Sequence, residues 1–558
     1  RAKLLDELRI DELFLFGSYR LFATEPAATA PTPTVESAIL VATKAKAPAR
    51  HKLRVVALED EAGAAQVLSA NSKARSPERD ALLAEMERRA RGKSGRKGGI
   101  HVHDILQSTL RADWPWPVKH AAEDVAARVV AHLEALLDDE AGPVEPLAQS
   151  WKVFRGIETA ADAFLPRVQR RLSAAVRRQL EAAGARTGDP IFELPPGAER
   201  ETPWREHPEF LARSPESRAI LFGAVDDADY VNLVRLTSDD PPPPVVLSSI
   251  ERWKPVLASR AGFADFPNRP WWETHRARKS EDLQAPKVFA LYRTDRGRFA
   301  LDESGDWQPS GKTTLVVGHF DEAPVAYLCG LLNSELLDLW YAVRGKAPRD
   351  VWRNYEPKRM NEIPYRRPEG DPRPDQIAEL VRRIGANRRA LLPRRAVVRD
   401  LGRIVKDPWK DGPVEIDRAA LVAELDSAET VSVRLDPELE LVGSGAGRVR
   451  REGPGLLVVK RGGKEIARVE GPPGRLDLLA EVLGDRSPDD LAGVLLPKDL
   501  AAFEGRVAER AKVVGGLLAD GRRLVEDVER LVCALYEVPD ELTDEVVAHA
   551  VRRAGRAT

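Results

Sequence analysis

Apolar residues recur at helical spacing between residues 323 and 344. The repeating positions are Leu328, Leu331, Leu332, Leu336, Leu339 and Trp340. The polar pair Asn333-Ser334 interrupts this run, and the triplet Arg344-Gly345-Lys346 ends it. Because apolar residues spaced three and four apart share one face of a helix, the segment predicts an amphipathic helix. A short extended piece should follow it and end at Ile363-Pro364.

Three apolar runs near the N-terminus predict β-strands, at residues 11–16, 37–43 and 53–58. A short helix over residues 2–9 precedes them. The run at 37–43 is continuously apolar, which is typical of a strand that is buried on both faces. We therefore expect this run to be a central strand, and we expect residues 1–58 to be the end of an α/β domain.

The middle of the chain alternates short strands with aromatic-rich loops. Strands are predicted at residues 230–236, 287–293, 298–301 and 314–319. Helices are predicted at residues 119–137, 162–183, 250–260 and 377–392. This mixture of short strands and helices predicts a mixed α+β domain in this part of the chain.

The C-terminal part combines a small strand-rich module with long helices. Four short alternating stretches separated by glycine-rich turns predict a β-meander, at residues 431–435, 438–442, 456–460 and 465–469. A long amphipathic helix is predicted over residues 500–537, with Gly515-Gly516 and Gly521 as candidate breaks. The fold class expected for the whole chain is therefore mixed α+β, ending in a helical region.

Composition sets limits on compartment and partners. The 558 residues are 43% hydrophobic and 31% charged, with a formal net charge of −2, and this length allows several domains. No apolar run approaches the roughly 18 residues of a membrane-spanning helix, so no membrane partner is expected. Cys329 and Cys533 lie in apolar helical patterns and are expected to be buried thiols. Together these features predict a cytoplasmic protein.

Two clusters combine basic and aromatic residues, the side chains that hold phosphates and contact bases. The first comprises Arg269, Trp271, Trp272, His275, Arg276, Arg278 and Lys279. The second comprises Arg344, Lys346, Arg349, Trp352, Arg353, Tyr355, Lys358 and Arg359. Because the net charge is near zero, DNA binding would have to come from such local clusters. The structural alternatives are tryptophans that belong to a core and cations that complement a helix dipole.

The chain lacks the signatures of several catalytic sites. It has no glycine-rich turn after a first strand to hold S-adenosylmethionine, and no Asn/Asp-Pro-Pro-Tyr/Phe loop. Neither a PD-(D/E)xK nuclease pattern nor a zinc-ligand cluster is present. We therefore expect the chain to be catalytically inactive by itself and to bind no metal.

The order of several motifs resembles the C-terminal part of TaqI/Eco57I-like adenine-N6 DNA methyltransferases, including type IIG and BREX-like enzymes. These motifs are Gly-Ile-Glu-Thr-Ala-Ala-Asp-Ala-Phe at 156–164, Pro-Trp-Trp at 270–272, Pro-Lys-Val at 286–288, Phe-Ala-Leu-Asp at 299–302, Leu-Leu-Asn-Ser at 331–334 and the closing helix near 529–542. The chain departs from the family pattern at Ala160, where the family has a glycine, and at Cys533 and Glu537. The resemblance implies a target-recognition, or specificity, domain without the catalytic motifs.

The resemblance also implies an arrangement of domains and sites. The implied segments are a remnant of an α/β methyltransferase sheet (1–58), a helical connector (59–150), the target-recognition domain (151–370), a helical linker (371–412), a small α+β insertion (413–497) and C-terminal helices (498–558). Phe22 matches the aromatic that stacks on a flipped adenine. The residues expected to bind DNA are Arg269, Trp271, Trp272, Arg276, Arg278, Lys287, Arg344, Lys346, Arg349, Arg353, Tyr355 and Lys358.

The implied partners are double-stranded DNA and a missing N-terminal catalytic half of the same polypeptide. The chain begins at Arg1 and its methionines are Met86 and Met360, so we expect a fragment of a longer enzyme. That intact enzyme would transfer a methyl group from S-adenosylmethionine to adenine N6, with the cofactor site outside this chain. One alternative is a stand-alone DNA-binding specificity subunit that acts with a separate catalytic partner. Another is a scaffold protein whose arginine-rich helices contact proteins.

Overall fold

The protein is a mixed α+β fold made of two compact units. A computed structural model describes residues 7–15, 38–48, 50–58, 77–97, 100–107, 125–260, 263, 268–294, 296–318, 324–344, 353–399, 401–407, 409, 414–443, 448–461, 464–484 and 491–556. The first unit contains Arg1–Arg382 and Asp527–Ala550, and the second contains Arg383–Glu526 and Val551–Thr558. The mixed α+β class expected from the sequence is confirmed for the described residues.

The first unit begins with a five-stranded mixed sheet. Its elements are β1 (Arg9–Leu15), β2 (Ala38–Thr43), β3 (Lys52–Leu58), α1 (Pro77–Ala90), β4 (Gly95–Lys97) and β5 (Ile100–Leu106). The strand order is β2-β1-β3-β5-β4, with β1 and β3 parallel and the other neighbours antiparallel. Its core consists of Ile10, Leu13, Leu53, Val55 and Ala57. The three strands predicted near the N-terminus are therefore confirmed.

The position of β2 within this sheet differs from the prediction. Within the described part of the chain, β2 is an edge strand that pairs with β1 alone, and its Val41 is 43% exposed. A continuous apolar run shows that a strand can be buried, but it does not encode which strands will pair with it. The sheet also extends through β5, past the domain boundary predicted at residue 58.

The rest of the first unit is built from short elements. Its helices are α2 (Val125–Leu137), α3 (Pro166–Gln169), α4 (Ala174–Ala182), α5 (Pro244–Ile250), α6 (Lys254–Ala258), α7 (Ser280–Gln284), α8 (Val325–Asn333), α9 (Glu335–Arg344) and α10 (Pro357–Met360). Its strands are β6 (Val144–Pro146), β7 (Trp151–Arg155), β8 (Glu193–Leu194), β9 (Leu211–Pro215), β10 (Ile220–Leu221), β11 (Ala224–Val225), β12 (Tyr230–Val234), β13 (Lys287–Leu291), β14 (Arg293–Thr294), β15 (Phe299–Asp302), β16 (Thr313–Gly318), β17 (Arg353–Asn354) and β18 (Pro364–Arg366).

The strands predicted in this region are confirmed, whereas one long helix is divided. The helix predicted at residues 162–183 is two helices, α3 and α4. Helix α3 ends at Gln169, and α4 begins after Ser173, whose backbone is extended and whose Oγ accepts a hydrogen bond from the backbone N–H of Val176 at 3.3 Å. A serine in this position is a favourable N-cap, so the second helix begins there.

A four-stranded antiparallel sheet in the order β15-β13-β16-β7 supports the candidate site. Phe289, Ala300 and Leu315 point from it into a core that also contains Trp307. In β7, Arg155 pairs with Thr314 of β16, so the chain leaves the sheet directly after Arg155. A separate pairing of β14 with β17 sets Arg293 opposite Asn354. These pairings bring distant basic residues close together.

The leucine-rich segment forms two helices rather than one. Ser334 has an extended conformation (φ −67°, ψ 145°) between α8 and α9, and its Oγ accepts a hydrogen bond from the N–H of Leu337 at 3.2 Å. Both helices are buried on nearly all sides, so the solvent-exposed polar face expected of an amphipathic helix is absent from them. Asn333 explains the break, since its side chain hydrogen-bonds the backbone N–H and carbonyl of Phe299 at 2.9 Å each.

The second unit contains a four-stranded sheet and long helices. After α11 (Arg373–Leu391), the remaining elements of the chain are α12 (Leu401–Ile404), α13 (Arg418–Ala423), β19 (Thr430–Ser432), β20 (Glu440–Gly443), β21 (Arg448–Gly453), β22 (Leu456–Arg461), β23 (Lys464–Glu470), α14 (Pro473–Leu483), β24 (Leu495–Pro497), α15 (Leu500–Leu535) and α16 (Asp540–Arg556). The end of α15 from Asp527 and the part of α16 up to Ala550 belong to the first unit. The sheet order β20-β23-β22-β21 includes a strand, β21, that the sequence did not predict. Helix α15 is continuous across the glycines proposed as breaks.

Ala160 has a left-handed backbone conformation, with φ of +57°. A Cβ is unfavourable there by about 1–2 kcal/mol, whereas glycine adopts this region freely. We expect Ala160→Gly to raise the free energy of unfolding by about 0.5–1 kcal/mol, after the larger chain entropy of glycine is subtracted. Chemical denaturation would measure it. Ala175→Gly, in the exposed part of α4, should change stability in the opposite direction, and a loss at both positions would contradict the prediction.

The described residues include no helix that is both long enough and apolar enough to cross a membrane. Cys329 and Cys533 are free thiols, and both are buried as predicted. Burial raises the pKa of each thiol, so neither side chain favours the reactive thiolate form.

Candidate nucleic-acid interface

The first basic cluster is divided between a core and a surface. Trp271 and Trp272 are half-buried and pack against the core that contains Phe164 and Trp253. Lys254 lies 5.6 Å from the centre of the Trp271 ring. The structural alternative for the two tryptophans is thus supported, because most of their contacts are apolar packing within the fold.

Arg269 is occupied by interactions within its own loop. Its Nε is 2.8 Å from Glu273 Oε2, and its Nη2 donates to the carbonyls of Thr274 and His275 at 2.9 and 2.5 Å. The neighbouring Arg260 is only 2% exposed and donates to four backbone carbonyls, those of Thr159, Leu257, Trp271 and Glu273. Arg269 therefore stabilises the loop that carries the cluster.

Arg276 and Arg278 face a carboxylate that comes from a distant part of the chain. The distance from Glu158 Oε1 is 3.4 Å to Arg276 Nη1 and 3.3 Å to Arg278 Nη2. Arg155, at the end of β7, approaches the same oxygen at 3.8 Å. The side chain of Arg276 is 57% exposed, while that of Glu158 is 18% exposed. Three guanidinium groups therefore share one carboxylate that is mostly covered.

An aromatic ring extends this group of cations. The guanidinium carbon of Arg155 lies 4.5 Å from the centre of the Tyr292 ring, and that of Arg293 lies 5.9 Å from it. Both distances are in the range of cation–π contacts. We call the surface formed by Arg155, Arg276, Arg278, Tyr292 and Arg293 the cationic strip.

Three described residues of the second basic cluster, Arg344, Arg353 and Tyr355, are held by contacts within the fold. Arg344 forms an ion pair with Glu134 of α2, and Arg353 forms one with the buried Asp338. Tyr355 is 2% exposed and stacks on Tyr341 with ring centres 4.6 Å apart. Tyr355 is therefore a core residue, and its ring is too deeply buried to contact DNA.

Lys287 is also a core residue, contrary to the sequence prediction of a DNA contact. Its side chain is 0% exposed, and its Nζ is 2.7 Å from Asp302 Oδ2. Burial lowers the pKa of Lys287, and the adjacent Asp302 carboxylate opposes that shift. The lysine is at the start of β13, where alternation directs its side chain into the interior.

The structure describes some of the remaining candidate DNA-binding residues. Lys358 is exposed in α10, and Arg359 next to it pairs with Glu362 at 3.1 Å. Lys279 is 74% exposed and lies 3.4 Å from Glu281. Four candidates, Phe22, Lys346, Arg349 and Trp352, lie outside the described residues.

Sequence reasoning missed Arg155, Glu158, Tyr292 and Arg293. Two signals were available, since Glu158 lies inside the motif at 156–164 and Tyr292-Arg293 closes the strand predicted at 287–293. Neither signal showed that these residues meet, because Arg155 and Tyr292 are separated by more than a hundred residues. Their contact depends on the pairing of β7 with β16 and on the backbone hydrogen bond from Tyr292 to the carbonyl of Lys312 at 2.8 Å.

The ionisable groups near the strip respond to its positive charge. Burial lowers the pKa of His275, and the nearby Arg269 and Arg276 lower it further. Burial also lowers the pKa of Arg278, while Glu158 raises it and the neighbouring Arg276 and Arg155 lower it. Burial is the largest cause of both shifts, and the neighbouring guanidinium groups add to it. A surface that carries several guanidinium groups attracts anions.

No family model and no curated protein matches the chain. Among solved structures, the chain is similar to the type IIG restriction endonuclease BpuSI, with 12% identity, a TM-score of 0.29, and coverage of 68% of this chain and 39% of that chain. It is also similar to the S subunit of a type I restriction-modification system from M. genitalium, with 11% identity, a TM-score of 0.22, and coverage of 46% and 83%. The matched region thus spans less than half of the BpuSI chain.

Proposed function

We propose that this chain is the DNA target-recognition portion of a site-specific adenine-N6 DNA methyltransferase from a restriction-modification or phage-defence system. The main support for DNA binding is the cationic strip, in which four arginines and a tyrosine lie close together. The chain as a whole has a net charge of −2, so this positive charge is local. The motif order that resembles the specificity domains of such enzymes supports the same assignment.

The strip suits DNA for two physical reasons. Guanidinium groups match the geometry of phosphate oxygens and remain charged at all physiological pH values. Among the residues that the structure describes, the carboxylates in contact with the strip are Glu158 and Glu356, the latter 3.2 Å from the Tyr292 hydroxyl, so the four arginines outnumber them. Such a surplus of charge on one surface favours a polyanion even when the whole protein is nearly neutral.

Binding to duplex DNA at different salt concentrations tests this proposal. We expect the chain to bind duplexes at low salt, and its affinity to fall steeply between about 50 and 200 mM salt. Arg293→Ala should reduce the slope of log affinity against log salt by about 1, because one phosphate contact is lost. Fluorescence anisotropy with a labelled duplex measures the slope.

A matched control uses Arg205, whose side chain is 65% exposed and belongs to no part of the strip. Arg205→Ala should leave the slope unchanged. Absence of duplex binding by the unmodified chain at low salt would contradict the DNA-recognition proposal.

The chemical part of the proposal concerns the longer enzyme. That enzyme would flip adenine out of the duplex and methylate N6 with S-adenosylmethionine, and Phe22 would stack on the flipped base. This chain would choose the site, and the cofactor would be held by residues N-terminal to Arg1. Sequencing the gene upstream tests it: an in-frame glycine-rich cofactor motif and an Asn-Pro-Pro-Tyr-like loop are expected. A stop codon followed by a start codon would instead favour the stand-alone specificity subunit.

A further inference from the structure

Three arginines converge on one carboxylate oxygen near the end of β7. Arg155, Arg276 and Arg278 approach Glu158 Oε1 at 3.8, 3.4 and 3.3 Å. These distances are longer than the 2.7–2.9 Å typical of strong charge-assisted hydrogen bonds, so each pairing with Glu158 is weak. One negative charge is shared among three positive charges.

The backbone holds two of these arginines in place. Residues Glu158 and Arg276 form an antiparallel bridge, with hydrogen bonds of 3.1 and 2.8 Å between their backbone groups. Arg278 has a left-handed conformation with φ of +64°. Arg235 holds that turn, because its side chain donates to the carbonyls of Ala277 at 3.1 Å and Arg278 at 2.9 Å.

The glycine before this bridge is required by close packing. A Cβ on Gly156 would lie 2.1 Å from the carbonyl oxygen of Pro309 and 2.3 Å from that of Ser310. The carbonyl of Gly156 also accepts a hydrogen bond from Arg278 Nε at 3.2 Å. The backbone of Arg276 and the guanidinium group of Arg278 are therefore held in place before any ligand arrives, which lowers the entropic cost of binding.

We propose that Arg155, Arg276 and Arg278 together bind one phosphodiester group of the DNA backbone, with Glu158 as the residue that positions them. This inference rests on the DNA-recognition function proposed above and assigns the triad to backbone contact rather than to base reading. Glu158 neutralises only part of the positive charge of the three arginines, and a bound anion would neutralise more of it. Because backbone phosphates are the same in every sequence, the triad would set affinity and orientation without selecting bases.

Glu158 has a second consequence for binding. Its carboxylate repels phosphate, so it weakens the attraction of the triad for any DNA. Glu158→Gln keeps the shape of the side chain and removes the charge. We expect this variant to bind random duplexes more tightly than the unmodified chain, and to show a steeper salt dependence. Arg276→Ala should bind random duplexes more weakly than the unmodified chain and show a shallower salt dependence.

The experiment compares the unmodified chain, Glu158→Gln, Arg276→Ala and Arg293→Ala on two duplexes of unrelated sequence, between about 50 and 200 mM salt. Arg293→Ala removes one phosphate contact and should reduce the fold change in affinity over this salt range by roughly 3-fold. Arg276→Ala weakens a contact that two other arginines share and should reduce it by less, and each effect should be equal for both duplexes. Circular dichroism confirms that each variant is folded. Inorganic phosphate at constant ionic strength is the competing ligand, and it should displace DNA less effectively than a phosphodiester-containing duplex.

The outcomes separate the triad from the general function. If Arg293→Ala reduces the salt slope but Arg276→Ala and Glu158→Gln do not change it, the triad inference fails and DNA recognition stands. If Arg276→Ala weakens only one of the two duplexes, the triad reads bases and the inference is wrong. If the unmodified chain does not bind either duplex at low salt, both proposals fail. If inorganic phosphate competes as well as duplex does, the site is a free-anion site and the inference is overturned.

Discussion

Replacing Asp338 with alanine is expected to lower the free energy of unfolding by about 3–5 kcal/mol. The residue is 4% exposed and holds three parts of the first unit together. Its Oδ1 accepts hydrogen bonds from the backbone N–H of Gly297 at 3.1 Å and from the Tyr355 hydroxyl at 2.9 Å. The same carboxylate forms an ion pair with Arg353, whose side chain is 16% exposed. Removing it leaves a mostly buried guanidinium and a buried hydroxyl without this acceptor.

Urea denaturation followed by circular dichroism would measure this loss. Asp544 is the matched control, since it is 71% exposed and its ion pair with Arg530 spans 3.1 Å. Asp544→Ala should cost less than about 1 kcal/mol, because solvent screens exposed pairs. Asp338→Asn should fall between the two, since its amide oxygen still accepts one hydrogen bond while the charge is lost. A loss below about 1 kcal/mol for Asp338→Ala would show that the pair is not buried as described.

The stability of the protein should also decrease between about pH 4.5 and 7, where the buried carboxyl group of Glu529 contributes to the pH dependence. Burial raises the pKa of Glu529 to about 7, although its oxygens accept hydrogen bonds from the backbone N–H groups of Glu335 at 2.6 Å and Leu336 at 3.0 Å. The nearby carboxylate of Glu335 raises this pKa further, while Arg296 lowers it. Glu335 is itself bound by Arg296 at 2.6 Å and by His549 Nδ1 at 2.9 Å.

The sign follows from proton binding. An unfolded glutamate has a pKa near 4.3, so between about pH 4.5 and 7 the folded state binds more protons than the unfolded state. The contribution of Glu529 to stability is complete below about pH 4.5 and is lost progressively as pH rises to 7. The shift of the Glu529 pKa corresponds to a loss of roughly 3–4 kcal/mol of stability at pH 8 relative to pH 4.

The measurement is the urea midpoint of unfolding at several pH values for the unmodified chain and for Glu529→Gln. The glutamine is neutral at every pH, so the pH dependence of this variant should be flatter between pH 4.5 and 7. Its amide nitrogen cannot accept a hydrogen bond, so the variant should be the less stable protein at pH 5. Parallel pH profiles for the two proteins would contradict the assignment.

Local patterns in the sequence correctly located most secondary structure in the first unit. The alternating and apolar runs at 230–236, 287–293, 298–301 and 314–319 are strands within two residues of their predicted ends. This succeeds because period and turn residues are local properties. The leucine-rich segment shows the limit, since Asn333 bonds to Phe299, which lies outside the segment, while Ser334 begins the second helix through its own bond to Leu337.

The direction of a basic side chain was not predictable in the same way. Lys287, Arg344 and Arg353 lie in segments correctly assigned as basic, yet each points to a carboxylate from elsewhere in the chain. Their partners are Asp302, Glu134 and Asp338 respectively. Whether a cation faces DNA or a buried acid depends on where that acid is held, and this is set by contacts between distant segments.

The sequence by itself determined the mixed α+β class, most strands, the buried cysteines and the two regions rich in arginine and aromatic residues, because composition and periodicity are properties of short segments. The tertiary structure alone decided the edge position of β2, the core location of Tyr355 and Lys287, and the meeting of Arg155 with Arg276, Arg278 and Tyr292. These features depend on strand pairing and on packing between residues that lie far apart in the sequence. The surface that we propose to contact DNA is therefore a product of the fold, because its residues lie far apart in the sequence.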